Sequence, residues 1–545
     1  MKKVLSLLLV LVLAVSIIAC ATTPDNDGTT ETQPGQTGTQ EQGTQPANGG
    51  GDTPPVDDGS PRHGGILRSI SGGSAEGAGP IGVPWGLSAN DIEMAIPMLE
   101  PMVRELADGS VEGLLAESWR IDDSDPDNLR LFFYLRQGVR FHDGTPFNAE
   151  VAKWNLDMAN EYAVPMANFS DVRVEDNYTI SMAIPSVSNA TVGSFGGMMY
   201  AMISMEAYLA NGTEWAEENP TGTGPFVLVE YIRGAHVITR RNDDYWDGDK
   251  PFFDGLELHL LTDTMTQTLA LQAEGESAIH MMTSNVGEQV EAFIGSPEHN
   301  VIFTSNLNVS LLPNTASPES PFYNNPALSR ALSYAIDRDL LVHARGFGLW
   351  VPAYQYTASA RPSHVHDPGY GVPRYNQDRA REMLAEAGFP DGLSITLIPQ
   401  PGAADRDAVV AIAAMLEDVG FDVSMDFLEA GAFSTMRGVE WPADAVFVHA
   451  VLSMTHMENS VGLLFSQAST FFYSLRKSDH MESMVQAAFT LGDNTQQLRA
   501  LQDYMLDEGL IIPLWFVSSG RIMRTNLRGW NEFNQWFHAD GWFAY

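Results

Sequence analysis

The sequence predicts a mixed α/β fold (α/β or α+β) of several lobes, on three observations. The body of the 545-residue chain is about 480 residues long, more than a single hydrophobic core supports and enough for two or three lobes. Within it, segments of apolar period two alternate with segments of helical period. No fixed-period repeat and no heptad run marks a solenoid or a coiled coil.

The elements follow in chain order. Lys2 and Lys3 precede an unbroken apolar or small stretch, Val4 to Ala19, that stops at Cys20. Such a run is short for a membrane span of about 20 residues, and its charge-then-apolar order is that of a secretory leader. Cys20 is the only cysteine, so it cannot form an internal disulfide. Small Ala19 before it resembles a bacterial lipobox, and a diacylated Cys20 supplies two chains, enough for stable anchoring. Residues 1–20 are thus expected to be a lipoprotein signal peptide. Residues 21–61, rich in Thr, Gln, Gly, Asp and Pro, are expected to form a disordered tether, because they cannot bury enough surface to offset their ordering entropy.

Folded structure is expected from near Gly64, with a first strand over Ile66 to Ile70. In Leu129 to Arg136, Leu129, Leu131, Phe133 and Leu135 share one face of a predicted strand. Phe226 to Ile232, His236 to Arg240 and Leu256 to Leu261 form a second strand cluster. Pro326 to Arg345 places Leu328, Ala331, Leu332, Ala335, Ile336 and Leu340 on one helical stripe. Asn148 is positioned to cap a helix beginning at Ala149. Asn376 caps another, with Asp378 in its first turn and Gly388 and Pro390 as its stop.

The formal charge is −39, from 69 acidic and 30 basic residues. That sign argues against nucleic acid, which needs a basic stripe. Gly77-Ala78-Gly79-Pro80-Ile81-Gly82 fits G-x-G-x-x-G in letters, but Pro80 sits inside it and Val83-Pro84-Trp85 follows where a phosphate-binding helix should start. It reads as a loop. No G-x-x-x-x-G-K-[ST], H-E-x-x-H or G-x-S-x-G occurs, and His142-Asp143 reads as part of a structural turn. The expectation is a protein that is not an enzyme and needs no cofactor.

Several segments, in order, resemble the family 5 solute-binding proteins of ATP-driven importers. They are Leu115-Ala116-Glu117-Ser118-Trp119; Leu135 to Val151, with its Asp143-Gly144 turn; Gly222-Thr223-Gly224-Pro225-Phe226; Arg241-Asn242-Asp243-Asp244-Tyr245-Trp246; Arg330 to Arg338; Ala380 to Gly388; and Ile511-Ile512-Pro513-Leu514. The resemblance implies a two-lobed periplasmic-binding-protein fold (type II, with an extra inserted domain) hinged between lobes. Lobe I would comprise 64–98, 221–302 and 510–545, the inserted domain 99–220, and lobe III 303–509. It further implies an extracytoplasmic, lipid-anchored monomer that captures a ligand between lobes I and III and docks on ABC permease subunits.

The ligand is left open by the sequence. Peptide binders of the family place an aspartate in lobe III against the ligand's amino terminus. That position falls near His456 here, with Ala450 where their tryptophan stands and Glu458 two residues on. The nickel-type members use an arginine that would fall in Met198 to Met202, which has none. His449, Met454, His456 and Met457 bunch together, however, and imidazole and thioether suit softer transition metals, so His449 and His456 are the candidates for a metal chelate. Flat aromatic surfaces suit a peptide side chain or a sugar ring. Trp85, Trp350, Tyr354, Tyr356 and Trp441 are therefore the aromatic candidates. An oligopeptide is the leading reading. A metal chelate, an oligosaccharide, and a surface adhesin or sensor that has lost transport are the alternatives.

Overall fold

The computed structural model describes residues 59–71, 79–87, 89–106, 109–162, 167–275, 278–359, 361, 363–402, 404–452, 456–467, 469, 471–490, 492–529 and 537–544. Cys20, the leader, nearly all of the tether, Gly77, Ala78 and Met454 lie outside them. No described helix is long and apolar enough to cross a membrane.

Among the described residues, one sheet of eleven strands runs through the body. At one end, strands Leu393–Pro399, Phe421–Met425 and Ala445–Leu452 run parallel. At the other, Ile66–Ser71 lies between Gly255–Leu260 and Met281–Ser284, with His236–Arg241 and Phe226–Ile232 beyond. Two long antiparallel strands, His299–Pro313 and Ile512–Arg524, join the ends. Their register slips between Ser305 and Leu307 and again between Val309 and Ser310. Such bulges bend and twist a strand locally, here midway between the two ends of the sheet.

The strand Ala445–Leu452 explains how one end is packed. It is buried on both faces, as parallel strands usually are. Val446, Val448 and Ala450 point into a core with Leu328, Leu332 and Ile412. Ala445, Phe447 and Val451 point into another, with Tyr356, Trp441 and Phe472. A separate four-stranded sheet, in the order Ala116–Asp122, Arg130–Leu135, Thr179–Ala183, Ser170–Asp176, packs on helix Ala149–Glu161 around Leu131, Phe133, Phe147 and Leu156. Asn148 caps that helix by accepting from the Val151 amide at 3.1 Å, and Asn376 caps Gln377–Glu386 by accepting from Arg379.

One expected helix divides in two. Pro326–Ala335 ends at Ile336, and Arg338–Arg345 starts anew with the Asp337 carboxylate accepting from the Leu340 amide at 2.9 Å. The break changes the phase of the stripe, so Leu341 is buried while Leu340 is 53% exposed. Arg338 occupies the break. Its buried guanidinium donates to the carbonyls of Pro513, Ser333 and Ile336 and to the Ser333 hydroxyl, tying the helix pair to the long central strand.

Candidate functional site

The segments quoted for the family resemblance converge through hydrogen bonds. His142 Nε2 lies 3.0 Å from the Gly224 carbonyl oxygen, and its amide donates to Gly222. Burial holds this imidazole below its ordinary pKa, consistent with a structural role for the turn. Fully buried Glu100 gathers three more: it accepts from Thr223 Oγ1 at 2.8 Å, Tyr245 Oη at 2.7 Å and Trp246 Nε1 at 2.8 Å. Desolvation pushes its carboxyl up to about 7, against the pull of those donors. Glu100 belongs to no motif in the sequence; only the fold reveals it. In the loop after the first strand, the Gly79 amide that a phosphate site would leave free is taken by a carboxylate, donating to Asp91 Oδ1 at 2.8 Å.

The aromatic candidates distribute differently from the expectation. Trp85 stacks on Tyr162 at 5.8 Å and meets Trp154 and Tyr208 edge-on, so it docks the loop on the helix Ala149–Glu161 and its neighbours. Tyr356 has no exposed surface and packs edge-on against Phe465. Trp441 is 2% exposed, stacked on Phe447 at 4.2 Å, with its indole donating to the Arg437 carbonyl. Half-buried Trp350 stacks on Trp515 at 4.5 Å beside the long central strand. Tyr354 lies under the Arg374 guanidinium, 3.3 Å from its ring centre. Burying a large apolar ring stabilises the fold more than exposing it, and Tyr356 and Trp441 both belong to the core around Phe447 and Phe472, with Trp441 also lining a cavity beside Met436 and Val439.

His449 and His456 are also separated in role. His449 takes the Phe447 face of its strand and sits among Phe433, Phe471 and Phe472. Its Nδ1 lies 2.7 Å from the Ala450 carbonyl oxygen, and desolvation lowers its pKa to about 3. His456 instead stands at the N-cap position of the helix Met457–Phe465, with no side-chain bond to its amides, so a strand and a helix start, not one helix face, carry the two imidazoles. No group of three His, Cys, Asp or Glu suited to a metal ion occurs among the described residues.

His456 and Glu458 do come together, at a cavity of about 670 Å³. One wall is Ser363, His456, Glu458, Asn494 and Leu498; the other is formed by residues of 109–121 and 188–192. His456 Nδ1 lies 3.6 Å from Glu458 Oε1, and its Nε2 lies 3.9 Å from Glu105 Oε1 on the opposite side. Burial alone would lower the imidazole pKa, but Glu458 and Glu105 outweigh it and hold the group above its ordinary value. Glu458 is 1% exposed. Its Oε1 accepts from Asn494 Nδ2 at 3.3 Å, while Oε2 is buried with no hydrogen-bond partner. A buried carboxylate oxygen left in that state is costly unless something donates to it. The same junction carries a reciprocal pair: Asn189 Nδ2 donates to the Gly492 carbonyl at 2.7 Å, and the Gly492 amide donates to Asn189 Oδ1 at 2.8 Å.

Comparison with known proteins agrees with this architecture. Among structures, the chain resembles DppA from Helicobacter pylori in complex with peptide STSA (TM-score 0.73, 20% identity, covering 89% of this chain and 99% of that one). It also resembles NikA from Brucella suis in complex with Fe(III)-EDTA (TM-score 0.72, 21% identity, 86% and 97%). Among characterised sequences, it is 27% identical over 468 residues to the glutathione-binding protein GsiB of Escherichia coli O1:K1 / APEC, covering 80% of this chain and 85% of that protein. Residues 110–472 match the family described as "Bacterial extracellular solute-binding proteins, family 5 Middle". The chain belongs to the bacterial extracellular solute-binding proteins of family 5.

Proposed function

We propose that this protein is the receptor of an ABC importer for short peptides, held at the outer face of the cell membrane by lipid on Cys20. The observation that carries the peptide reading is Glu458. Its Oε2 is a buried acceptor without a donor, at a cavity whose volume falls within the ~300–1,000 Å³ usual for small-ligand sites. A peptide ammonium supplies the missing donor and compensates the buried charge. Glutathione, named for the relatives of this chain, is itself a small peptide with one free ammonium.

In this reading 64–98, 221–302 and 510–545 form lobe I, 99–220 the inserted domain and 303–509 lobe III. The bulged strands His299–Pro313 and Ile512–Arg524, which among the described residues alone connect the two ends of the eleven-stranded sheet, serve as the hinge about which the lobes close on the ligand.

Calorimetric titration of the purified chain with short peptides, glutathione, nickel–histidine and oligosaccharides tests this. Peptides with a free amino terminus should bind, and Glu458→Gln should weaken them about ten- to a hundredfold. Equal binding of amino-acetylated peptides, or binding of the nickel complex alone, would refute the peptide reading. Cys20→Ser should release the chain from the membrane fraction, and retention there would exclude the lipid.

A further inference from the structure

We infer that the inserted segment 99–220 forms the pocket for the ligand's first side chain and selects an apolar one; this rests on the role given above to Glu458. The two walls of the cavity differ in chemistry. Hydrogen-bonding groups gather on the 303–509 side, where Glu458, Asn494, His456 and Ser363 face the space. The facing wall brings four apolar side chains, Val111, Trp119, Ile121 and Val192, beside the smaller polar Ser110, Ser188 and Asn189.

That apolar wall is the open edge of a core. Trp119 and Ile121 alternate on one face of the strand Ala116–Asp122, paired with Phe133 and Leu131. Both partners are fully buried. The strand lies at the edge of its four-stranded sheet, so the core that encloses Phe133 and Leu131 continues outward as half-buried Trp119 and Ile121. These side chains are packed against the core behind them, and a rigid apolar wall needs little ordering on binding.

An ammonium placed on Glu458 has its backbone beside Asn494 and Ser363. The adjoining side chain is then directed to the far wall, the one lined by Trp119. An acidic side chain there would lose its hydration, and the one imidazole at the cavity, His456, is already engaged by Glu105 and Glu458. An apolar one buries surface on both sides.

The test is titration of the full chain with tripeptides X-Gly-Gly, where X is Leu, Phe, Gly or Asp. Leu and Phe should bind about ten- to a hundredfold more tightly than Gly, and Asp more weakly still. Trp119→Ala should shrink the Leu-to-Gly ratio to below about threefold while leaving affinity for Gly-Gly-Gly within about threefold of the parent. Ile121→Ser, a smaller change, provides the same readout should Trp119→Ala fail to fold. Glu458→Gln should weaken every peptide alike and leave the ratio unchanged. Peptides that bind with the Leu-to-Gly ratio intact in both wall variants overturn the pocket alone. Failure of every peptide to bind the parent protein overturns the pocket together with the reading on which it stands.

Discussion

His456 and Glu105 meet across the boundary between the two walls of the cavity, with 3.9 Å between imidazole Nε2 and carboxylate Oε1. Nothing in the sequence relates these two residues, which stand on segments folded around separate cores. The contact makes the junction sensitive to the protonation of one ring, because Glu458 lies on the ring's other side.

The His456 pKa is raised in the folded chain. Its contribution is therefore fully present below the ordinary histidine value of 6.5, and it is lost as the pH rises through the folded value. NMR titration of the His456 ring should show a midpoint above that of a peptide histidine, and Glu105→Gln should lower it. An unchanged midpoint in Glu105→Gln would show that the 3.9 Å contact has no electrostatic weight.

Glu100 behaves in the same sense for a different reason. Its carboxyl titrates near 7 in the fold against an ordinary 4.5, so the folded state holds its proton more tightly. Stability should fall as the pH rises from about 4.5 to about 7 and then level off, a change on the order of 3 kcal/mol. Glu100→Gln keeps two acceptor bonds, from Trp246 and Thr223, and donates to the Tyr245 oxygen. It should flatten that dependence in urea unfolding at successive pH values. A slope that persists in Glu100→Gln assigns the dependence elsewhere.

The reciprocal pair between Asn189 and Gly492 closes the junction without charge. Asn189→Ala removes both bonds, worth about 1 kcal/mol at this exposed position, and stopped-flow measurement should find ligand release roughly fivefold faster. Asn189→Asp keeps acceptance from the Gly492 amide but cannot donate to its carbonyl. Its release rate should fall between the two.

The broken helix gives a stability prediction that separates two adjacent leucines. Leu341→Ala should cost about 2–5 kcal/mol, the range for emptying a buried site. Leu340→Ala should stay within about 0.5 kcal/mol, as at an exposed position. Similar costs for both in chemical unfolding would mean that the segment is one continuous helix.

How legible the protein is in its sequence depends on the range of the interactions involved. The strands Arg130–Leu135, Phe226–Ile232, His236–Arg241 and Gly255–Leu260 stand within a residue or so of their expected positions, because alternation is written in each segment by itself. The caps at Asn148 and Asn376 are legible for the same reason, each bond spanning three residues. The division at Ile336-Asp337 was not. An apolar stripe continues through it, while the buried Arg338 that holds the break finds an acceptor 175 residues away, at Pro513.

The site shows the same limit. Glu458 and His456 were recognisable as chemistry-bearing residues in a stretch that departs from the family pattern, but Tyr356, Trp441 and His449 carry equally suggestive side chains and lie in the core. An aromatic ring or an imidazole has no local mark of which face it will take. His449 is buried because Phe447 and Val451 share its face of a strand covered on both sides, a consequence of sheet order.

By itself the sequence determined the mixed α/β class, the acidic charge and the order of motifs that identifies the family, all of which rest on composition and short-range pattern. Only the tertiary structure decided that two motifs converge on Glu100, and that Glu458, at a cavity, keeps a buried oxygen without a donor. It alone set Trp119 on the wall facing Glu458, for such relations join residues more than a hundred positions apart, and chain folding alone brings such residues within reach of one another.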